Sequence, residues 1–286
     1  MHRLVMLLIV LALLLSCAAA ESAAPAVVDP PAGFDTQVDG VPYGKTLLRR
    51  YFSTTTGRER KVMILLPPDY SEEKTYPVLY LLHGIGGDEN EWAGGRPTWV
   101  IGNLIAQGEA AEMIVVMPNI RARENDRANA SDMYTPAHFA AFDHFINDLR
   151  DDLMPYMQEN FPIAQGRENT AIAGLSMGGR EALYIGLTMQ DTFGYIGAFC
   201  PAPGVLPYYA EKGLFPAADF KADETLETRI LINAGQTDGV VGAWPKTYAD
   251  TLTANGTENT FYVTAGGHDF TVWKHGLYNF ARNLFR

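Results

Sequence analysis

The feature that most constrains the fold is the stretch 174–179, which reads Gly-Leu-Ser-Met-Gly-Gly. The residues before it, 170–173, are apolar and partly β-branched as in a buried strand, and residues 180–189 carry apolar side chains at helical spacing. Small neighbours allow a turn tight enough to join that strand directly to that helix. Ser176 would then lie at the helix amino end, where the helix dipole and the N–H of Met177 can stabilise an oxyanion. The pattern predicts a nucleophilic serine, the alternative being an ordinary serine in a glycine-rich turn.

The residues that could activate Ser176 follow it along the chain. In an α/β-hydrolase the acid and then the base come after the nucleophile, each on a loop at the carboxyl end of a later strand. Of the two later histidines, His268 follows an apolar strand directly, whereas His275 falls within a predicted helix. Among the later aspartates, Asp238 alone ends a buried strand. We therefore predict a triad in which His268 accepts the Ser176 proton and Asp238 orients the imidazole, with an acyl-enzyme intermediate and no metal or organic cofactor.

A second glycine-rich turn follows an earlier strand. Residues 78–82 are almost wholly apolar, as in a strand buried on both faces of a parallel sheet, and 83–87 read His-Gly-Ile-Gly-Gly. An α/β-hydrolase places the other half of its oxyanion hole here, so we expect the N–H of Ile85 to act with that of Met177. His83 could be a base, but a histidine at a strand end is more often a structural hydrogen-bonding group.

Apolar runs at regular intervals predict further strands and helices, and hence an α/β-hydrolase fold with a mostly parallel central sheet and helices on both faces. The first two runs flank Thr-Thr-Thr-Gly and predict a hairpin. Strands are expected at 45–53, 60–66, 78–82, 113–117, 170–173, 195–200, 229–234 and 261–264, and helices at 99–109, 139–161, 180–189 and 273–285.

Three groups of side chains have competing interpretations. The arginines of the long loop 119–136, which would border the site, could clamp a carboxylate, but solvated loop charges are favoured. The acidic side of helix 139–161 could hold a metal, but a solvated face is favoured because no cluster has zinc spacing. Aromatic residues of the irregular segment 201–226, which is too short for a large cap domain, are either walls of an open site or packed surface groups. These residues are Arg121, Arg123 and Arg127; Asp148, Asp151 and Asp152; and Tyr208, Tyr209 and Phe215.

Composition indicates one globular domain. The chain has 286 residues, of which 47% are hydrophobic and 19% charged, and no internal repeat is evident. The net charge of −11 disfavours binding to nucleic acid or to anionic membranes.

The amino-terminal residues predict export. Positive charge at His2-Arg3 followed by the apolar run 4–15 is typical of a secretory signal, assigned to 1–20, and too short for a transmembrane span. Leu-Leu-Ser-Cys at 14–17 resembles a lipobox, which would leave Cys17 lipidated; the alternative is ordinary cleavage at the alanines that follow. A flexible tether is expected over 21–39 and the esterase domain over 40–286. We thus expect a bacterial cell-surface or periplasmic lipoprotein, or alternatively a secreted protein. Cys200 is expected to be a buried, inert thiol.

Four stretches carry a resemblance to the esterase-D-like carbohydrate esterases, which include bacterial feruloyl and acetylxylan esterases. They are 51–57, 76–92 with Leu-Leu-His-Gly-Ile-Gly-Gly-Asp-Glu-Asn-Glu-Trp at its end, 171–179, and 266–274, which reads Gly-Gly-His-Asp-Phe-Thr-Val-Trp-Lys. The chain is most similar to the feruloyl esterase modules of bacterial xylanases. This resemblance implies a sheet of roughly eight strands without a large cap, the same triad positions, and hydrolysis of ester substituents on plant cell-wall xylan.

Feruloyl esters on arabinoxylan or xylo-oligosaccharides are therefore the expected substrate, with acetylxylan esterase as the alternative. Regions 119–142 and 201–226, which would shape the acyl pocket, match the family less well and leave this choice open. A cytosolic S-formylglutathione hydrolase would share the triad but not the export signal. An acyltransferase, or a carbohydrate-binding lipoprotein with an idle site, are remoter alternatives.

Overall fold

The computed structural model describes residues 27–129, 131–209 and 212–286. The predicted signal peptide, the lipidation site Cys17 and residues 21–26 of the predicted tether lie outside these ranges. No helix within the described ranges combines the length and the hydropathy that a bilayer-crossing segment needs.

One eight-stranded sheet, in the order β1-β2-β4-β3-β5-β6-β7-β8, forms the centre of the protein. β1 and β2 form the predicted hairpin and β2 is also antiparallel to β4, whereas the other neighbouring strands run parallel. The predicted fold, with its mostly parallel sheet of about eight strands, is thus confirmed. The strands are β1 (Thr46–Ser53), β2 (Arg58–Leu65), β3 (Val78–Leu82), β4 (Ile114–Pro118), β5 (Thr170–Leu175), β6 (Tyr195–Phe199), β7 (Arg229–Gly235) and β8 (Thr260–Thr264).

Helices cover both faces of this sheet and bury its apolar side chains. Val78, Tyr80 and Leu82 of β3 belong to one core and Leu79 and Leu81 to the other, because successive side chains of a strand point to opposite faces. Helices α1 and α7 pack on the second face, and α2 to α6 on the first. They are α1 (Pro97–Ala106), α2 (Pro136–Asp143), α3 (Phe145–Asp148), α4 (Met154–Asn160), α5 (Met177–Thr188), α6 (Trp244–Ala254) and α7 (Phe270–Arg282).

The single helix expected over 139–161 is divided, and part of its acidic side is buried. A π-helical turn, Leu149–Leu153, separates α3 from α4. Asp148 is fully buried, where it accepts a hydrogen bond from the Tyr51 hydroxyl (2.5 Å) and pairs with the Arg60 guanidinium (3.3 Å). The prediction of a solvated acidic face is therefore wrong for Asp148, and also for Asp152, which is 7% exposed and accepts hydrogen bonds from the hairpin turn.

The end of the segment expected to be a flexible tether lies against α7. The Val28 N–H donates to Asn279 Oδ1 (2.9 Å), and Asn279 Nδ2 donates to the Val28 carbonyl (3.0 Å). The Phe34 ring meets the Tyr278 ring edge to face at 5.3 Å. Within the tether predicted over 21–39, the chain is thus held on the domain from Val28 onward, because these groups find partners on the last turns of α7.

Candidate active site

Ser176 occupies a strained turn between β5 and α5. The strand ends at Leu175 and the helix begins at Met177, so Ser176 alone makes the turn, with φ 53° and ψ −115°. A non-glycine residue at positive φ is strained, and such strain is concentrated at functional sites. A methyl group on Gly178 would overlap the carbonyl oxygens of Leu82 and His83, so the close approach of helix and strand requires glycine there.

Parallel strands bring the three predicted triad residues together. Ser176, Asp238 and His268 follow β5, β7 and β8, whose carboxyl ends lie at the same edge of the sheet. His268 Nε2 lies 2.8 Å from Ser176 Oγ, and His268 Nδ1 lies 2.7 Å from Asp238 Oδ2. With a proton on Nδ1, His268 can donate to the aspartate and accept the serine proton at Nε2.

The surroundings of Asp238 keep its carboxylate ionised and oriented. Oδ1 accepts hydrogen bonds from the N–H groups of Val240 (2.9 Å) and Val241 (3.2 Å), which leaves Oδ2 for His268. Burial would raise the pKa of Asp238, but the hydrogen bonds from His268 and from these two N–H groups outweigh it and hold the pKa below its ordinary value. Asp238 is therefore a fixed anion beside the imidazole at neutral pH.

Cys200 lies beneath the triad as a buried thiol, as predicted. Its Sγ and the nearest ligand atoms of Asp238 and His268 lie within 4.8 Å of one another. Burial, with the neighbouring Asp238 charge, raises the pKa of the Cys200 thiol. The thiol therefore stays protonated and unreactive.

His83 is a structural group, as predicted. It is buried; Nδ1 lies 2.7 Å from the Gly84 carbonyl, and Nε2 accepts a hydrogen bond from the Ile120 N–H at 2.9 Å. Because Nε2 accepts, Nδ1 carries the proton and donates to Gly84. Burial, with the nearby Arg121 charge, lowers the pKa of His83 to about 4, so the ring is neutral at physiological pH.

The two N–H groups expected to form the oxyanion hole belong to residues close to Ser176. Met177 is the next residue, at the first position of α5. Ile85 lies on the turn after β3, next to Gly84, whose missing Cβ would be 3.5 Å from the Cβ of Ser176. Among the described residues, neither N–H has a hydrogen-bond acceptor. Both are therefore available to a substrate oxygen.

Arg121 is not the solvated loop charge expected from the sequence. Its side chain is fully buried, and its guanidinium donates to the backbone carbonyls of Ile85, Gly87 and Asp126. Arg123 is partly exposed and pairs with Asp132 at 2.9 Å, and Arg127 is exposed as predicted. The loop borders the site as expected, since a Cβ on Gly86 would lie 3.5 Å from Met133.

The aromatic residues of 201–226 divide into packed and exposed groups. Phe215 packs against Tyr184 and Phe220 and is not a wall of the site. Tyr208 and Tyr209 have ring centroids 4.4 Å apart, and Tyr208 meets the Trp244 ring at 5.1 Å. Tyr209 is 91% exposed. Tyr208 and Trp244 are partly exposed, so the three rings form an aromatic shelf at the surface. Trp244 is the first residue of α6, the helix that follows the Asp238 loop.

Two residues of the site, Glu91 and His138, were not singled out from the sequence, and Arg121 was interpreted as a solvated charge. Glu91 Oε2 accepts a hydrogen bond from the Gly84 N–H at 2.5 Å, and burial raises the pKa of this carboxyl. His138 Nε2 lies 3.2 Å from the Ile85 carbonyl. The local sequence gives no sign of these contacts, which join segments 7 to 53 residues apart.

A strained serine between a parallel strand and a helix, with histidine and aspartate on later strand ends, defines an α/β-hydrolase. Comparison with known families assigns the chain more specifically than the fold class does. The family model described as "Putative esterase" matches residues 53–284, and the chain belongs to this esterase family. The resemblance to esterase-D-like enzymes is thereby confirmed.

Solved and curated relatives agree with this family. A CE1 ferulic acid esterase from the anaerobic fungus Anaeromyces mucronatus, solved in complex with ferulic acid, is 38% identical, with a TM-score of 0.84 over 90% of this chain and 96% of that one. The same enzyme without substrate has a TM-score of 0.83. The endo-1,4-beta-xylanase/feruloyl esterase of Xylanibacter ruminicola is 30% identical over 243 residues, which are 82% of this chain and 31% of that protein. The chain thus spans about a third of this curated relative.

Proposed function

We propose that this protein is a serine esterase that hydrolyses feruloyl esters of plant cell-wall arabinoxylan. The observation that carries the proposal is the hydrogen-bonded series Ser176, His268 and Asp238 in a chain 38% identical to a ferulic acid esterase over 96% of that enzyme. The name of the Xylanibacter relative, which joins xylanase and feruloyl esterase activities, supports the polysaccharide as the source of the ester.

The geometry supports a two-step acyl transfer. His268 Nε2 takes the Ser176 proton as Oγ attacks the ester carbonyl, and the same proton passes to the leaving sugar alkoxide. Water then repeats the sequence on the acyl-enzyme and releases the carboxylic acid. The oxyanion of each tetrahedral intermediate would be bound by the N–H groups of Ile85 and Met177, and one such donor typically contributes about 3 kcal/mol.

The aromatic shelf of Tyr208, Tyr209 and Trp244 is the candidate binding surface for an aromatic acyl group and supports ferulate over acetate. Aromatic rings pair in edge-to-face or offset geometry with a gain of about 0.5–1.5 kcal/mol beyond their buried area. A phenolic ring bound on this side of the triad would find such partners, whereas an acetyl group has no ring to pair with them.

We also infer that the enzyme works outside the cytoplasm. The charged and apolar residues 2–15 and the lipobox-like 14–17 support export with lipidation at Cys17. Metabolic labelling with a fatty acid tests this inference: label should enter the wild-type protein and be lost in Cys17→Ser. Equal labelling of both proteins, or of neither, would contradict lipidation.

Hydrolysis of methyl ferulate and of acetylated xylan by the purified protein tests the substrate. We expect ferulate release that is abolished in Ser176→Ala, with little acetate release. Acetate release alone would replace the proposal with an acetylxylan esterase. Activity that survives in Ser176→Ala would contradict the mechanism itself.

A further inference from the structure

The peptide groups around Ile85 are held by side chains from several parts of the protein. The Gly84 N–H donates to Glu91, and the Gly84 carbonyl accepts from His83 Nδ1 and from the Gly87 N–H (3.1 Å). All described peptide bonds are trans, so the N–H and C=O of one peptide point in opposite directions. With its carbonyl on His83, the Gly84–Ile85 peptide presents the Ile85 N–H to the opposite side.

The next carbonyl is held by two buried side chains. Arg121 Nη2 donates to the Ile85 carbonyl (3.2 Å) and to the Gly87 carbonyl (2.7 Å), and His138 Nε2 lies 3.2 Å from the same Ile85 oxygen. Both side chains are fully buried. Ile85 is thus fixed on both sides of its Cα, by His83 through the preceding carbonyl and by Arg121 and His138 through its own.

Arg121 is an unusual buried cation because its hydrogen-bond acceptors are backbone oxygens, and its Nε has no partner among the described residues. Within the described ranges no carboxylate lies at ion-pair distance from it, and Asp88, Asp126 and Asp132 act on it only from farther away. Its donors reach three carbonyls, and the guanidinium lies 5.4 Å from the centroid of the Phe142 ring. A buried charge normally needs an ion pair to offset its loss of hydration. Positive charge held beside the oxyanion turn is unfavourable for the free enzyme and becomes favourable when negative charge develops there.

We propose that Arg121 and His138 are positioning residues for the oxyanion hole: by holding the Ile85 carbonyl they fix the Ile85 N–H for the transition state. Because both lie on the 119–143 region, that region sets the geometry of the hole as well as bordering the substrate. The inference rests on the proposed esterase mechanism and deepens it. It concerns catalysis of any ester, so it is independent of the acyl group preferred.

Removal of either side chain should lower kcat more than it changes KM, because the N–H is needed chiefly in the transition state. A misplacement of about 1 Å costs on the order of 100-fold in rate. For Arg121→Gln we expect kcat on 4-nitrophenyl ferulate to fall by about 10- to 100-fold, with KM within about twofold. Binding of a trifluoromethyl ketone, which forms a tetrahedral oxyanion adduct with a serine, should weaken by a similar factor.

Arg167 provides a matched control for loss of a carbonyl-binding arginine. It donates to the carbonyls of Gln190, Phe193 and Glu227, but it lies before β5, at the end of the sheet opposite Ser176. Arg167→Gln should lower the thermal midpoint without a fall in kcat greater than about twofold. This control separates a positioning role from a general loss of stability.

Two variants at His138, His138→Ala and His138→Gln, keep the proposal testable if Arg121→Gln fails to fold. A glutamine can present its amide nitrogen to the Ile85 carbonyl in place of Nε2, so His138→Gln should retain most of the kcat that His138→Ala loses, and with it the inhibitor affinity. The full-length protein is used throughout.

Two outcomes would overturn the proposal: a folded Arg121→Gln with wild-type kcat and inhibitor affinity, or His138→Ala and His138→Gln with equal kcat. Both would leave the esterase assignment intact. Absence of aryl-ester hydrolysis by the wild type, or its survival in Ser176→Ala, would instead refute the proposed function.

Discussion

Replacement of Asp238 by asparagine should abolish most activity because the structure fixes which way the new amide would face. The N–H groups of Val240 and Val241 both donate to Oδ1, so this position must remain an oxygen. The asparagine NH₂ is then directed at His268 Nδ1, 2.7 Å away in the wild type. A donor at that position requires Nδ1 to be an acceptor, which moves the imidazole proton to Nε2.

An imidazole protonated at Nε2 donates to Ser176 Oγ and cannot accept its proton. Loss of the correct tautomer typically lowers kcat by about 10⁴-fold, which corresponds to about 5 kcal/mol of barrier. We expect a decrease of about 10³- to 10⁴-fold in kcat for Asp238→Asn on an aryl ester at pH 7, with KM nearly unchanged.

Asp269→Asn is the matched control for this measurement. Asp269 is next to His268 and caps α7 by accepting from the Thr271 N–H at 2.7 Å. Asparagine is an equally good helix cap, so kcat should stay within about threefold of wild type. If Asp238→Asn keeps more than a tenth of the wild-type kcat, Asp238 does not orient His268 and the triad argued above is refuted.

Three further predictions concern stability. Burial raises the pKa of Glu181 from 4.5 to about 7, so the contribution of its protonated form is fully present below about pH 4.5 and is lost as the pH rises through about 7. Between pH 5 and pH 8 the melting temperature of Glu181→Gln should therefore fall less than that of the wild type. An equal fall in the two proteins would contradict the raised pKa of Glu181. Asp148→Ala leaves a buried guanidinium without its carboxylate and should cost about 3–5 kcal/mol in urea unfolding, against less than about 1 kcal/mol for the exposed Asp151→Ala. Gly178→Ala should prevent closure of the nucleophile turn and yield little folded protein, whereas Gly239→Ala, where a Cβ meets nothing within 4 Å, should be tolerated; normal folding of both would refute the steric argument.

The fold and the placement of the triad could be predicted because their signals are local. Apolar runs identify strands, and residues directly after parallel strands must meet at one edge of the sheet. Ser176, Asp238 and His268 could therefore be placed together from the sequence alone, and they are hydrogen-bonded in the structure.

The burial of charge could not be predicted in the same way. Arg121 and Asp148 look like surface charges in the sequence, because what buries them comes from distant segments: the Ile85 turn for Arg121 and the first hairpin for Asp148. A polar residue in a loop or on a helix carries no local mark of such partners. The π-helical turn after Asp148, by contrast, ends two residues before Pro155, whose ring and missing N–H interrupt the regular hydrogen bonding of an α-helix.

The contact of Val28 with Asn279 fixes where the amino-terminal segment joins the domain. His268 lies two residues before Phe270, the first residue of α7, and Asn279 lies nine residues beyond Phe270. At 1.5 Å per residue this places the chain entry about 14 Å farther along the helix from the catalytic end. An attachment through residues before Val28 would therefore begin at a point on the domain that is separated from the catalytic residues by about this distance.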